Sequence, residues 1–251
     1  DVYQINKIEL PIATIDIFVD SEGGVWLVGE DGAVRASNIK TSATFTSAPE
    51  IKENSFGRFE QKIYTLSRGG IMRHSPGADP TQTNIIRTKR IQNNKGLYVW
   101  KENYKYVYDK ELYELVDDAP EKLLATFDFP IDGIIANDKS IFLSLKNSGI
   151  VHIDRIKNRI TDYRKNRLLS RKLPTGAASL FLDGETLWLG SEESGLYEVD
   201  VSNPENPRLI THHTTIKSNP KSFSSNSVSC IIKHKEKTFI GTNGDGVFVY
   251  E

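Results

Sequence analysis

The chain has 251 residues, of which 38% are hydrophobic and 26% charged, and its formal net charge is −1. This composition is that of an ordinary soluble globular protein, and the near-neutral charge excludes a chain that is drawn as a whole to nucleic acid or an anionic membrane. Cys230 is the only cysteine, which excludes an intrachain disulfide and a site built from several thiolates. No apolar run approaches the roughly 20 residues of a membrane-spanning helix.

A triplet of apolar, aromatic and apolar residues recurs along the chain, with threonine in place of one apolar residue in two copies. The six copies are Val25-Trp26-Leu27, Ile63-Tyr64-Thr65, Leu97-Tyr98-Val99, Ile141-Phe142-Leu143, Leu187-Trp188-Leu189 and Thr238-Phe239-Ile240. Their first residues are 34 to 51 positions apart, about 43 on average. Such spacing indicates an internal structural repeat.

Each triplet sits in a similar setting. A short apolar segment and a polar turn precede it, and a second polar turn leads into a third segment. In five copies a glycine opens that third segment: Gly32, Gly70, Gly149, Gly195 and Gly246. The third copy has Tyr104 there instead. Short β-branched and aromatic runs between such turns are typical of strands, and no stretch shows convincing helical periodicity; 120–129 comes nearest.

Four-stranded units at this period predict an all-β fold, a single β-propeller of about six four-stranded blades over 1–251. The aromatic of the triplet, in the second strand, is expected to fill the space between adjacent blades. The last copy supplies three strands over 227–250, and segment 2–8 alternates suitably for a fourth. We predict that this N-terminal strand pairs with Gly246–Tyr250 and closes the ring. An irregular strand hidden in 40–55 would change the blade count by one.

Three copies carry a resemblance to a known family. The strings SSNSVSCIIKHKEKTFIGTNGDGVFVYE (224–251), ASLFLDGETLWLGSEESGLYEVD (178–200) and IDIFVDSEGGVWLVGEDGAVRAS (15–37) resemble the two-component regulator propeller repeat. The other copies are degenerate, with Tyr64, Tyr98 and Phe142 in place of tryptophan.

The resemblance implies a sensor domain of bacterial hybrid two-component systems, located in the periplasm or outside the cell and joined to a signalling domain or protein partner. It implies a non-catalytic β-propeller that uses no cofactor and recognises a carbohydrate or another small polar ligand. Such sensors usually carry two seven-bladed propellers and a β-sandwich, whereas this chain has about six copies.

Propellers bind ligands where the loops between second and third strands gather. The predicted ligand-binding residues in these loops are Glu30, Asp31, Arg68, Glu102, Asn103, Lys146, Asn147, Glu192, Glu193, Asn243 and Asp245. They would form a polar rim around a shallow funnel, suited to a hydroxyl-rich or charged ligand. The alternative is ordinary hairpin chemistry, since Asn, Asp and Gly tolerate the positive φ of tight turns.

A basic stretch follows the fourth copy. Segment 155–173 holds eight lysines and arginines against one acid, Asp162. We predict a patch for an anionic partner, a sulfated glycan, acidic lipid or acidic protein, formed by Arg155, Lys157, Arg159, Arg164, Lys165 and Arg167. The alternative is a solvated edge strand, on which basic residues block unwanted pairing. Aromatic interleaving is limited to Tyr163, which argues against nucleic acid.

Two other classes of function remain open. A scaffold would bind a protein through the rim or the basic stretch without sensing anything. A metal-dependent lactonase or lyase would hold a cation in the channel, where the predicted innermost segments offer Asp16, Glu60, Asp132 and Asn137. The five histidines show no metal-binding spacing, and no nucleophile motif is present, so we predict no metal site and no catalytic residue.

Overall fold

In a computed structural model of the chain, the described residues are the strands before residue 104, followed by 104–116, 119–216, 222–223 and 225–250. These residues form six sheets of four antiparallel strands each, which confirms the all-β prediction. The sheets are numbered one to six in chain order, and within sheets one to five each strand pairs with the next strand of the chain. No helix in this part of the chain is long and apolar enough to cross a membrane.

The first three sheets take up the N-terminal half of the chain. Sheet one contains β2 (Asp16–Val19), β3 (Val25–Gly29), β4 (Gly32–Ala36) and β5 (Ala43–Thr46). Sheet two contains β6 (Phe56–Phe59), β7 (Lys62–Ser67), β8 (Gly70–His74) and β9 (Asn84–Ile86). Sheet three contains β10 (Gly96–Lys101), β11 (Tyr104–Tyr108), β12 (Glu111–Val116) and β13 (Lys122–Thr126).

The remaining sheets take up the C-terminal half. Sheet four contains β14 (Ile131–Ala136), β15 (Ser140–Leu145), β16 (Gly149–Asp154) and β17 (Arg159–Asp162). Sheet five contains β18 (Ser179–Asp183), β19 (Thr186–Gly190), β20 (Leu196–Asp200) and β21 (Arg208–His213). Sheet six contains β22 (Val228–His234), β23 (Lys237–Thr242), β24 (Gly246–Tyr250) and, as its fourth strand, β1 (Asn6–Ile8).

The two ends of the chain meet in sheet six. Strand β1 runs antiparallel to β24, with Asn6 opposite Val249 and Ile8 opposite Val247. The pairing predicted for the N-terminal segment 2–8 is seen over Asn6–Ile8. Residues 2–5 lie outside the described part. The first strands of neighbouring sheets also lie side by side, in the order β6, β10, β14, β18, β22 and β2.

The prediction for the third copy of the repeat is wrong in its strand order. Leu97-Tyr98-Val99 belongs to β10, the first strand of sheet three and not the second. The second strand is β11, and two of its aromatics, Tyr106 and Tyr108, are buried. The triplet could not identify the right strand, because each of the first three strands of this sheet carries a tyrosine in an apolar setting: Tyr98, Tyr106 and Tyr113.

The core lies between the sheets. Aromatic side chains of the second strands lie in these spaces, as predicted for Tyr64, Phe142 and Trp188, whereas Tyr106 takes this place in sheet three. Each has at most 6% of its surface exposed. Between sheets five and six, for example, Trp188 packs with Val228 and Phe248. Burying a large aromatic stabilises the fold by about 2 to 3 kcal/mol, so each sheet depends on its neighbour for stability.

Two helical turns between sheets four and five were not predicted. A 3-10 turn spans Tyr163–Lys165, and a single α-helical turn, α1, spans Arg167–Ser170. The Asn166 side chain caps α1, because its Oδ1 accepts hydrogen bonds from the backbone N–H groups of Leu168 and Leu169, each at 3.2 Å. Buried Tyr163 and Leu169 hold the turns against sheets four and five. Turns this short show no helical periodicity, which explains why the sequence pattern missed them.

Candidate ligand-binding rim

The turns between second and third strands lie at one end of sheets three to six, beside the segments that connect successive sheets. We call this end the rim. Backbone hydrogen bonds join the two sets of loops: Lys146 N–H donates to Pro130 at 2.8 Å, Gly195 N–H to Asn226 at 2.8 Å, and Asn243 N–H to Ser227 at 3.0 Å. Backbone hydrogen bonds therefore join the rim turns to the connections between sheets.

The turn of sheet five shows how the sequence produces such a loop. The Ser191 hydroxyl accepts hydrogen bonds from the backbone N–H groups of Glu193 and Ser194, at 3.3 and 3.2 Å, and lies 2.7 Å from the Ser194 hydroxyl. Gly195 then opens the third strand with a φ of 90°, a conformation that side chains disfavour. A Cβ added there would lie 2.2 Å from the His213 carbonyl oxygen, so only glycine fits.

Six of the eleven predicted ligand-binding residues lie in the described rim. Lys146, Asn147, Glu192, Glu193 and Asn243 are exposed, and Asp245 is half-buried. The structure thus presents them to solvent on one face. Glu30, Asp31, Arg68, Glu102 and Asn103 lie outside the described residues.

Two predicted ligand-binding residues were assigned to the rim because the predicted strand order of sheet three was wrong. Glu102 and Asn103 stand between β10 and β11, the first and second strands, so their place in the chain is not a rim turn. The corresponding rim turn is Asp109–Lys110, between β11 and β12. Asp109 accepts a backbone hydrogen bond from Ile131 at 2.7 Å, and Lys110 accepts one from Phe127 at 2.8 Å. An Asp-Lys turn between two tyrosine-rich strands was the signal available in the sequence.

The rim contains a groove between the turn of sheet four and the connection to sheet five. Its volume is about 360 Å³, and its lining includes Asn147, Ser148, Tyr163, Arg164 and Thr175. Asn147 has a φ of 52°, which asparagine tolerates better than most residues. Burial raises the pKa of the Tyr163 hydroxyl, which stays protonated and donates a hydrogen bond of 2.8 Å to the Pro204 carbonyl. The groove thus joins a predicted rim residue, Asn147, to a residue of the predicted anionic-partner patch, Arg164.

The charge of Arg164 is already partnered. Its guanidinium contacts both carboxylate oxygens of Asp162, with Nε at 2.9 and 3.1 Å, and it also contacts the Ser148 hydroxyl. Burial would raise the pKa of Asp162, but the hydrogen bonds from Arg164 outweigh this effect and the pKa is lowered. Arg164 therefore contributes shape and hydrogen-bonding capacity to the groove more than a free positive charge.

The predicted anionic-partner patch is divided among several places. Arg155 pairs with Glu114 at 3.2 Å, while Lys157 and Arg159 both pair with Glu205. Lys165 and Arg167 are exposed and have no ion pair among the described residues, and the same holds for Arg171 and Lys172 further along. The unpaired positive charge thus lies on the helical turns of segment 163–172.

Sequence reasoning missed a second groove at the opposite end of sheets three and four, which we call the far groove. Trp100, Glu114 and Arg155 are part of its lining. Trp100 stands immediately after the third triplet. A second aromatic residue at this place, beside Tyr98, was the only sign of the groove in the sequence.

Three of the described histidines serve packing and hydrogen bonding: His152, His212 and His213. His152 is 2% exposed, its Nε2 lies 2.9 Å from the Ser140 hydroxyl, and burial lowers its pKa to about 4. His212 stacks on Tyr197 with ring centres 3.9 Å apart, whereas His213 faces Glu198 across the strand pair. No group of three or more His, Cys, Asp and Glu side chains within the described ranges is placed to hold a metal ion.

Comparison with known proteins relates the fold to solved structures. The extracellular domain of BT4673 from B. thetaiotaomicron, described as a hybrid two-component system, matches 99% of this chain with a TM-score of 0.70 and 13% identity. The corresponding domain of BT3049 from the same organism matches 100% of the chain with a TM-score of 0.65 and 13% identity. The chain spans about two fifths of those domains, 39% and 42% respectively.

A third solved structure identifies the architecture. The WD40 β-propeller domain of Doa1 matches 99% of this chain over 97% of its own length, with a TM-score of 0.61 and 12% identity. No protein-family model matches the sequence, and no curated protein matches it significantly. At these identities the structures show the fold, a β-propeller. The extracellular domains of two-component systems among them agree with the resemblance to the two-component regulator propeller repeat.

Proposed function

We propose that this protein is the ligand-recognition propeller of an extracytoplasmic sensor. The observation that carries the proposal is the rim, on which exposed polar side chains stand on turns fixed by backbone hydrogen bonds. Rigid presentation lowers the entropy lost on binding, which favours recognition of a small ligand. The structural similarity to extracellular domains of two-component systems supports the sensing role and a place outside the cytoplasm.

The ring belongs to the same proposal. The six sheets close into one six-bladed domain, in which sheet one neighbours sheet two and the β1–β24 pair joins the ends. The side-by-side first strands and this terminal pairing support closure. A closed ring would transmit a change at the rim to a neighbouring signalling domain as a rigid body.

The ligand of the rim is a small polar molecule, carbohydrate being the first class to test. Hydroxyl groups match the mixture of acceptors and donors on the exposed turns: Lys146, Asn147, Glu192, Glu193, Asn243 and Asp245. Glu30, Asp31 and Arg68 extend the proposed rim to sheets one and two. The protein acts by binding and not by catalysis.

A second candidate function is a scaffold for an acidic partner, and one observation favours it. Leu168 is 77% exposed on α1, and four cations without ion pairs surround it in the sequence: Lys165, Arg167, Arg171 and Lys172. An apolar side chain framed by positive charge suits a partner surface that is acidic with an apolar centre. Of the predicted patch, Lys165 and Arg167 remain in this proposal.

A thermal-shift screen against neutral sugars, sulfated glycans and divalent cations tests these proposals. A ligand at 100 times its dissociation constant adds about 2.7 kcal/mol of apparent stability. The rim variant Asn147→Gly with Glu192→Gln and Glu193→Gln should abolish a sugar response, because glycine keeps the positive φ and the glutamines keep the shape. Glu236→Gln, an exposed site at the opposite end of sheet six, serves as control.

The outcomes separate the candidates. A sugar response that the rim variant leaves intact would contradict the rim site. A response to sulfated glycans that is lost in Lys165→Gln with Arg167→Gln would favour the scaffold. A response to calcium alone would favour a metal-dependent enzyme.

A further inference from the structure

The far groove lies between sheets three and four, at the end opposite the rim. Its volume is about 340 Å³, enough for a small organic molecule. Side chains come from the strands of sheet three, from two strands of sheet four, β15 and β16, and from the turns of sheet four around 137–139 and 155–158. The lining combines charged groups with an apolar wall, and both parts indicate a ligand.

The deepest charged group is the Glu114 carboxylate, whose side chain is 14% exposed. Its Oε1 accepts a hydrogen bond from the Tyr106 hydroxyl at 3.1 Å and from the Arg155 guanidinium at 3.2 Å. Burial raises the pKa of Tyr106, so this hydroxyl keeps the proton that it donates. Both contacts use the same oxygen, and Oε2 has no hydrogen-bond partner among the described residues. A carboxylate oxygen that is open to the groove can accept a hydrogen bond from a charged donor.

A positive charge stands beside Glu114 on the same face of the sheet. Lys122 is the cross-strand partner of Glu114 in the β12–β13 pair, so the two side chains point the same way. They do not form an ion pair, because Arg155 engages Glu114 from the neighbouring sheet. Lys122 is exposed and has no ion pair within the described part of the chain. The groove thus holds, on adjacent strands, one carboxylate oxygen open to a ligand and one cation without an ion pair among the described residues.

The apolar wall is supplied by aliphatic side chains of both sheets. Ile141 and Ile153 are buried at its base, and Leu124 is half-buried. Ile156 is 74% exposed at the edge of the groove. A ligand side chain that covers Ile156 removes apolar surface from water and gains affinity from it.

The mouth is closed only weakly. Lys101 Nζ lies 2.8 Å from Asp138 and 4.2 Å from the centre of the Trp100 ring. The two paired side chains are 44% and 79% exposed, so a ligand can displace their contact at small cost. The Arg155 guanidinium, 4.4 Å from the same ring, keeps Trp100 in place.

We propose that the far groove binds a free α-amino acid with an apolar side chain. The ammonium group of the ligand donates to Glu114 Oε2, its carboxylate pairs with Lys122, and its side chain packs against Ile153 and Ile156. A monoanion would supply no donor to Glu114 Oε2, and a monocation would supply no counterion to Lys122. Only a small zwitterion meets both charges and the apolar wall at once.

Isothermal titration calorimetry with three probes tests this site. L-Leucine carries both charges, 4-methylpentanoate lacks the ammonium group, and 3-methylbutylamine lacks the carboxylate. Since a hydrogen bond to a charged group contributes about 1.5–3 kcal/mol, each analogue should bind at least about tenfold more weakly than leucine.

Two variants test which side chain binds the ammonium group of leucine and which binds its carboxylate. Glu114→Gln should weaken leucine about tenfold and leave 4-methylpentanoate unchanged, whereas Lys122→Met should weaken leucine and leave 3-methylbutylamine unchanged. Lys110→Met removes an exposed lysine at the rim and should not change the affinity for leucine or for either analogue. Glu114→Gln also disturbs Arg155, but Lys122→Met alters only an exposed side chain, so its result stands even if Glu114→Gln folds poorly.

Three results would overturn the proposal: no heat or saturable response with leucine at millimolar concentration, equal binding of leucine and either analogue, or full leucine affinity in Lys122→Met. Binding of a sugar at the rim is independent of all three, so a failure of this site and a failure of the proposed rim site are distinguishable.

Discussion

The two ends of the propeller are held together in different ways. At the rim, backbone groups join the turns to the connections between sheets, as Gly195 N–H does to Asn226. At the opposite end, side-chain ion pairs bridge neighbouring sheets: Glu114–Arg155 and Lys101–Asp138 between three and four, Glu205 with Lys157 and Arg159 between four and five, and Asp183–Lys233 between five and six.

This difference separates two kinds of sequence constraint. Where backbone carries the structure, side chains are free to meet a ligand, and only the conformation of the turn is fixed. Where side-chain contacts hold the structure together, the identity of these side chains is fixed. Their polar atoms that make no contact within the protein then determine which ligand can bind. The rim should therefore tolerate side-chain changes and resist changes of backbone conformation, and the far end should do the reverse.

The largest effect is expected for Gly195→Ala at the rim. The variant meets a positive φ of 90° and a carbonyl oxygen 2.2 Å from the new Cβ, so we expect a loss of about 3 kcal/mol or more in the free energy of unfolding. Chemical denaturation measures it. Gly244→Ala is the matched control, since its φ is 96° but nothing lies within 4 Å, and it should lose only about 1 kcal/mol. Equal losses would mean that the close approach at Gly195 is not restrictive.

The next effect is expected at the far end, for Glu114→Gln. The amide keeps the shape but removes the carboxylate charge that faces Arg155, whose side chain is 15% exposed, and we expect a loss of about 2 kcal/mol. The matched variant Asp162→Asn removes the partner of Arg164, whose side chain is 41% exposed, and should cost less than about 1 kcal/mol. A larger loss of stability in Asp162→Asn than in Glu114→Gln would contradict the view that side-chain ion pairs matter more at the far end than at the rim.

These pairs also show what the sequence could and could not predict. Arg155 and Arg164 belong to one basic stretch, and nothing local separates them, yet one reaches a carboxylate 41 residues away and the other a carboxylate two residues away. Glycines and triplets predicted five of the six sheets in the right strand order, because turn conformation and alternation are local properties. Sheet three failed because its tyrosines are equivalent locally, and only packing decides which strand comes first.

A third prediction concerns pH and lies between the two ends, at His152. Its pKa is about 4 in the folded protein because burial disfavours the charged ring, against about 6.5 when unfolded. The unfolded chain therefore binds more protons between pH 6.5 and 4, and stability falls as the pH falls through this window. The loss should reach about 2 kcal/mol near pH 4.5. Denaturation curves of the wild type and His152→Gln at pH 7 and 4.5 measure it, and an equal pH dependence in both would exclude His152 as the cause.

The smallest effect is expected for Asp138→Asn, at the mouth of the far groove. Its partner Lys101 is 44% exposed and Asp138 is 79% exposed, so water and salt already screen the pair and the unfolding midpoint should not change measurably. Lys101 also keeps its contact with the Trp100 ring after the change. Comparing unfolding at low and high salt sharpens the test, since a real contribution would appear only at low salt. A loss of stability similar to that of Glu114→Gln would show that solvent exposure does not separate weak from strong ion pairs at this end. The mouth of the far groove would then be held as firmly as its floor.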